Sequence, residues 1–298
     1  MNKILLGDKG KQANELISSY LRENKLFSLS RLGLAEVRWV DWYIKGGLNY
    51  TCDGFLFAGR DYAPTLGEKL KFNGVYGNTS DFFMQEYIKG ISCADLQVFW
   101  FDYNGSKLVY DEQLNIFKNF SPDSVKIDCE TLCSYIHTDF WTKELKGKKV
   151  LVIYPFVETI KSQYAKKDLI WTGEHAGKLP DFELITYKPY WTLGNVMPHN
   201  SWKETFEAMR DDISKLDFDV AILGCSHYGL PLVSHIKNNM GKSAIYMGGE
   251  LQILFGIKGE RWDNWEKVNK YYNEHWVRPF DEKPNGYVAL ATDGGCYW

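Results

Sequence analysis

The sequence predicts an α/β fold of Rossmann-like type, a mostly parallel sheet with helices on both faces, and two observations carry that prediction. First, short, largely apolar runs at 150–154, 219–223 and 243–247 are each followed by Gly or Pro, which is the length and punctuation of buried strands. Second, such runs alternate with segments of helical period, and parallel neighbours need a crossover that is usually a helix. Residues 218–262 show both. A strand at 219–223 meets a glycine turn. A helix follows, with Pro231 at its start, Leu232, Val233, His235 and Ile236 on one face, and Gly241 at its end. A second strand at 243–247 then runs into Gly248-Gly249, and the whole is a βαβ unit.

The other elements follow in chain order. Residues 12–24 place Leu16, Ile17, Tyr20 and Leu21 on one side of an amphipathic helix. A strand at 27–30, a turn at Arg31-Leu32-Gly33 and a helix over 34–45 repeat the strand-to-helix theme. Residues 46–78 are rich in glycine and aromatics without a sustained period, and read as loops and short strands partly covering a site. A helix over 81–88 is capped by Thr79 or Ser80, and a buried strand within 91–101 is interrupted by Asp95. Helices are expected at 111–117 and 129–140, separated by a Ser-Pro turn.

The strand at 150–154 breaks at Pro155-Phe156 and leads into a helix over 158–166. A strand at 182–187 precedes a helix capped by Asn200 or Ser201, with Phe206, Met209 and Ile213 on its apolar face. A helix is expected over 265–276. The tail after it carries two turn signals, Pro284-Asn285-Gly286 and Asp293-Gly294-Gly295. No composition shift marks a linker, so residues 1–298 read as one domain, or as two closely packed halves at about 1–145 and 146–298.

Composition narrows the function. A net charge of −3 gives no basic footprint for nucleic acid. The six cysteines form no CxxC pairs, which argues against zinc ribbons and a secreted disulfide framework, and they read as buried small hydrophobes. No window approaches the roughly 20 apolar residues of a membrane span, and the N-terminus lacks a signal-peptide core, so a cytoplasmic location is expected. An aromatic content of 16% permits a carbohydrate role without requiring one, because such rings also serve packing.

Ligands in open parallel sheets sit outside the carboxyl ends of the strands, and the candidate site residues gather at those ends. Gly224, Cys225, Ser226, His227, Tyr228 and Gly229 form a strand-to-helix turn whose free N–H groups and helix dipole suit a diphosphate; the turn is neither a Walker A loop nor GxGxxG, and tight glycine geometry is the alternative. Arg31 and Glu36 flank another such turn. They either fork onto a phosphate and hold a divalent ion, or form a structural ion pair. Asp95, a carboxylate in apolar text, is a general base, a substrate ligand or a cap. Glu158 and Thr159 start the helix after the 150–154 strand, and Glu158 also complements that helix dipole.

Three stretches taken together resemble the GT-D type glycosyltransferases, a Rossmann-like bacterial family that moves a sugar from a nucleotide sugar to a glycan acceptor. FSLSRLGLAE is similar to that family's R-x-G-D-x-E segment through Arg31, Gly33 and Glu36; KKVLVIYPFVETI matches its central strand and loop; and residues 220–256 match its final strand, glycine loop, helix and glycine-led segment. The resemblance implies a nucleotide-diphosphate sugar donor and a role in surface polysaccharide or glycoprotein synthesis. It implies Mn²⁺ or Mg²⁺ on the diphosphate, but the first acid of the family's pair is replaced by Leu34, leaving Glu36 as the one metal ligand.

On this reading the diphosphate lies near Arg31, Gly33, Glu36 and the 226–229 turn, with Phe156 and Thr159 from the central segment beside the donor. Gly248, Gly249, Glu250 and Gln252 line the remaining wall, and Lys258 and Arg261 either neutralise the leaving group or form a solvated basic turn. Asp95 or Glu158 serves the acceptor hydroxyl, and His227 is a phosphate contact, a base or a structural hydrogen-bonder. Two other classes fit the same text: another Rossmann-like enzyme of nucleotide or sugar-phosphate chemistry, and a non-catalytic relative acting as a binding protein.

Overall fold

The computed structural model describes residues 4–6, 8–52, 55–57, 60–62, 64–100, 109–192, 196–283 and 297. The turns expected at Pro284-Asn285-Gly286 and Asp293-Gly294-Gly295 lie outside the described residues.

Among the described residues ten strands occur in chain order: β1 (Ile4–Leu5), β2 (Ser28–Ser30), β3 (Phe55–Phe57), β4 (Arg60–Tyr62), β5 (Leu96–Phe99), β6 (Val125–Asp128), β7 (Lys149–Ile153), β8 (Glu183–Tyr187), β9 (Val220–Leu223) and β10 (Ser243–Tyr246). Eight of them form one sheet in the order β1-β6-β5-β2-β10-β9-β7-β8, every pair parallel, while β3 and β4 form a separate antiparallel hairpin. The sheet is continuous across the two sequence halves, joined where Ala244 and Ile245 of β10 pair with Ser28 and Leu29 of β2. The fold is α/β and Rossmann-like.

Helices cover both faces because the central strands are apolar on both sides. β5, β9 and β10 are buried at every position. One face packs α1 (Lys11–Arg22) through Ala13, Ile17 and Leu21, and also α6 (Val157–Tyr164) through Ile160. The other packs α2 (Leu34–Gly46), α3 (Leu66–Phe72), α4 (Ser80–Ser92), α5 (Tyr110–Phe120), α7 (Trp202–Ile213) and α8 (Gly229–Asn238). Gly90 of α4 lets α4 and α8 touch: a Cβ there would lie 2.4 Å from the Leu230 carbonyl oxygen. Among the described residues no helix is long and apolar enough to cross a membrane.

The connections fix where a crevice opens. From β7 the chain moves outward to β8, while from β9 it moves inward to β10, and α6 and α8 cover opposite faces. Adjacent strands whose crossovers diverge leave a gap at their carboxyl ends. That gap lies between β7 and β9.

Three expectations are corrected. The helix expected over 129–140 is absent; β6 precedes this stretch, and a 3-10 turn, Cys129–Leu132, follows it. The strand is disguised by Lys126, buried within it, whose ammonium is satisfied by the Ser121 and Ser124 carbonyls at 2.6 and 2.9 Å. The carboxylate of Asp128 caps the turn on the Glu130 N–H, and Asn14 of α1 holds the Asp139 carbonyl and the Trp141 N–H in place of helical partners. The region 46–78 contains α3 besides its hairpin, started by a reciprocal capping box between Thr65 and Glu68. The helix expected over 265–276 shrinks to α11 (Glu266–Asn269), which follows the short α9 (Glu250–Leu254) and α10 (Glu260–Asp263). Asn273 and Trp276 instead bind the Ile170 carbonyl.

Asp95 is placed away from any catalytic role. It precedes β5 at the amino end of the sheet, where its Oδ2 accepts the Ser28 N–H at 2.7 Å and the Lys237 ammonium at 2.6 Å. Its own N–H and carbonyl continue the β2 and β6 pairing. Asp95 therefore staples three strands to the end of α8. Asp95→Ala is expected to cost about 1–3 kcal/mol of stability, read by urea denaturation, while leaving ligand affinity at the far edge unchanged. A loss of ligand binding without a loss of stability would refute this structural role.

Candidate functional site

A cleft of ≈ 650 Å³ opens at the carboxyl ends of β2, β10, β9, β7 and β8. Its floor depends on two glycines. A Cβ on Gly224 would come within 2.5 Å of the Tyr154 ring and 2.6 Å of the Gly248 carbonyl oxygen, so the turns after β9 and β10 meet face to face only without side chains. Gly248 has φ 65°, and a Cβ there would lie 2.9 Å from an Arg31 guanidinium nitrogen.

Arg31 leaves the end of β2 and is steered by its neighbours. Its guanidinium stacks 4.7 Å from the centroid of Trp100, which is itself fixed by an indole N–H bond to the Leu32 carbonyl. No ion pair engages Arg31 among the described residues, so the structural Arg31–Glu36 pair is not formed. Glu36 stands at the third position of α2, with its carboxylate folded back over Gly33, whose Cβ would fall 2.0 Å from Oε2. That is why glycine precedes the helix here. Arg261, on the other side of the loop after β10, lies 4.6 Å from the Tyr297 ring and donates to the Tyr297 hydroxyl at 3.1 Å. Among the described lining residues, the permanent cations are Arg31 and Arg261, and the carboxylate is Glu36.

The turn after β9 carries the site's strained residue. Ser226 has φ 53°, a left-handed conformation that costs a non-glycine residue about 1 kcal/mol or more. The conformation is held by the Tyr246 hydroxyl on the Ser226 carbonyl at 2.9 Å, and Gly229 makes room for the Tyr246 ring, 2.5 Å from its would-be Cβ. The N–H groups of Ser226 and His227 make no hydrogen bond among the described residues, and they precede the N-terminus of α8. Consecutive free N–H groups around a left-handed residue form an anion-binding concavity. Ser226 is exposed to the cleft.

His227 is buried behind this turn, between the Ser226 hydroxyl and the Thr192 hydroxyl, each at 3.4 Å. Burial pushes its pKa down to about 3, so the ring is neutral and a weak base at ordinary pH. Tyr228 donates to Thr192 at 3.1 Å, tying the turn to the segment after β8. Both residues line the cleft, and both are braces in its wall.

Several predicted residues lie outside the lining. The Glu158 side chain is exposed and paired with Lys161 at 2.8 Å. The N-terminus of α6 is filled by the buried Glu282 carboxylate, which accepts the Glu158 N–H at 3.0 Å, the Thr159 N–H at 3.1 Å and the Thr159 hydroxyl at 2.5 Å. Thr159 is therefore engaged by protein, and of the two donor-side candidates in that segment Phe156 lines the cleft while Thr159 does not. Gln252 is fully buried, accepting the Tyr154 hydroxyl at 3.0 Å and donating to the Lys258 and Tyr297 carbonyls. Lys258 turns away, 5.2 Å from the Tyr272 centroid. Glu250 lies behind Gly249. Its Oε2 is sealed from solvent and has no hydrogen-bond partner among the described residues, and burial raises its pKa to about 7 against the pull of Arg31 and Arg261.

Aromatic residues that the sequence reading did not single out form much of the cleft: Trp39, Trp100, Tyr154, Tyr190, Trp191 and Tyr297. For Trp100, Tyr154, Tyr190 and Trp191 the signal was aromatic text just after a strand end, as in the Pro189-Tyr190-Trp191 stretch following β8.

The metal implied by the resemblance does not fit these residues. Leu34, at the position of the missing acid, lines the cleft with 40% exposure, and among the described lining residues Glu36 is joined by no second acid. Among the described residues no cluster of three or more His, Cys, Asp and Glu side chains is placed to hold a metal ion. Comparison with protein-family models, curated proteins and solved structures returns no match.

Proposed function

We propose that this protein is a glycosyltransferase that moves a sugar from a nucleotide-diphosphate donor to a glycan acceptor. The observation that carries the reading is the pair of arginines, Arg31 and Arg261, flanking a glycine-floored turn with free N–H groups at a switch point of a parallel sheet. The guanidinium fork of Arg31 matches a phosphate, and its stacking on Trp100 presets its direction. The diphosphate lies between the two arginines and the 226–229 turn. Leaving-group charge is neutralised there by fixed donors and the α8 dipole, and the mechanism has no step through a metal.

Glu36 takes the acceptor. In this assignment the acceptor oxygen bonds to the anomeric carbon, the bond from that carbon to the diphosphate oxygen breaks with its electron pair leaving on the nucleotide, and the hydroxyl proton passes to Glu36. Glu36 replaces Asp95 and Glu158 in this role because it alone of the three lines the cleft. Glu36→Gln is expected to lower transfer by about 10²–10⁴ with donor affinity intact, measured by product release from a radiolabelled nucleotide sugar. Full turnover in Glu36→Gln would reject the assignment. Leu34 favours a second reading, a protein that binds nucleotide sugars without transferring them, and wild-type protein that binds but never turns over would support it.

A further inference from the structure

The cleft's charge is confined to one part of its wall. Arg31 touches Gly248, and Arg261 is joined to Tyr297, which itself approaches Gly249 to 3.2 Å of a would-be Cβ. Both cations therefore flank the loop after β10. The segment 189–192, which follows the edge strand β8, contributes Pro189, Tyr190, Trp191 and Thr192 to the lining without a charged group among them.

This neutral wall is built, not loose. Gly74 abuts the Thr192 carbonyl, 2.5 Å from its would-be Cβ, which brings Asn73 into the lining beside the segment. The Thr192 hydroxyl accepts from Tyr228 and faces His227. The Tyr190 ring meets His199 edge-on at 4.9 Å, and His199 in turn bonds Thr205, which is joined to Tyr76 at 2.7 Å. A partly buried polar network thus supports the segment that carries two aromatic rings. Tyr190 is nonetheless 38% exposed, an aromatic surface held in place without being packed away.

We infer that residues 189–192 with Asn73 form the acceptor subsite and that the acceptor is an uncharged saccharide, stacked on Tyr190 and Trp191 and hydrogen-bonded by Asn73. The inference rests on the glycosyltransferase reading of the cleft. Rigid rings present the apolar C–H face of a sugar with a partner at low entropic cost, whereas an acidic sugar would find no cation among the described residues of this wall. The donor diphosphate takes the opposite, cationic wall, so the two substrates are sorted by charge.

The test uses the full chain. Calorimetry first identifies the nucleotide diphosphate that binds wild-type protein. Saturation-transfer NMR is then recorded with that nucleotide present, using methyl glycosides of glucose, galactose and N-acetylglucosamine, with glucuronic acid as the charged comparison. The expected result is contact signal from a neutral glycoside that falls about ten-fold in Trp191→Ala and in the surface variant Tyr190→Ala, with nucleotide affinity unchanged in both. Glycoside signals untouched by either variant, or a preference for glucuronic acid, overturn the subsite while nucleotide binding keeps the transferase reading alive. No nucleotide binding to wild type overturns that reading, and the subsite with it.

Discussion

Arg31→Ala should weaken binding of the nucleotide-diphosphate donor by about 10- to 100-fold, the worth of a charge-assisted phosphate contact. The residue stands at the end of β2, stacked on Trp100 and against Gly248, with no ion pair among the described residues to absorb its charge. Little stability should be lost, because the change removes one stacking contact worth about 0.5–1 kcal/mol. Arg31→Lys should recover only part of the affinity, since an ammonium keeps the charge and loses the planar fork. Isothermal calorimetry of both variants reads the effect directly. Donor affinity equal to wild type in Arg31→Ala would remove the diphosphate from this wall.

Glu250→Gln should raise stability at pH 8 by about 3 kcal/mol and change it little near pH 4.5. The carboxyl is held behind Gly249 with Oε2 shut from water, and burial moves its pKa from 4.5 to about 7. Between those values the folded protein carries a proton that the unfolded chain has released. Stability therefore falls as pH rises through that window, and the full cost is present above pH 7. Glutamine carries no charge at any of these pH values, so the variant escapes the loss. Urea unfolding of both proteins at pH 4.5, 6 and 8 measures the difference, and a gap independent of pH would show that Glu250 ionises normally. The ionised form also draws on Arg31 and Arg261, so donor affinity should rise in Glu250→Gln at pH 8 as those guanidiniums lose a competitor.

The parallel sheet was legible because its central strands, β7, β9 and β10, are apolar on both faces and end on proline or glycine. β6 was hidden by Lys126, since a charge inside a buried strand is visible as strand text only once Ser121 and Ser124 are known to satisfy it. α3 did carry a local signal, Thr65 followed three residues later by Glu68, which the surrounding glycines and aromatics masked. Of the candidate site, the residues adjoining strand ends were readable: Arg31, Glu36, Gly224, Ser226 and Gly248 all line the cleft. Asp95 was misplaced because its text does not say which end of the strand it occupies, and Glu158 because a carboxylate from a distant segment, Glu282, fills its helix terminus. Tyr297 belongs to the site through long-range packing, which no local pattern encodes.

The central claim is that the cleft holds a nucleotide-diphosphate sugar, and calorimetric titration of the purified protein with UDP-, GDP-, TDP- and CMP-sugars, each with and without Mn²⁺, tests it most directly. The account predicts saturable binding of a nucleoside-diphosphate sugar, weaker binding of the monophosphate-linked CMP-sugar, and affinity independent of Mn²⁺, because among the described lining residues Glu36 is joined by no second acid. Folded protein that binds none of the panel would contradict the account, and binding that appears only with Mn²⁺ would contradict its assignment of the diphosphate charge to Arg31 and Arg261.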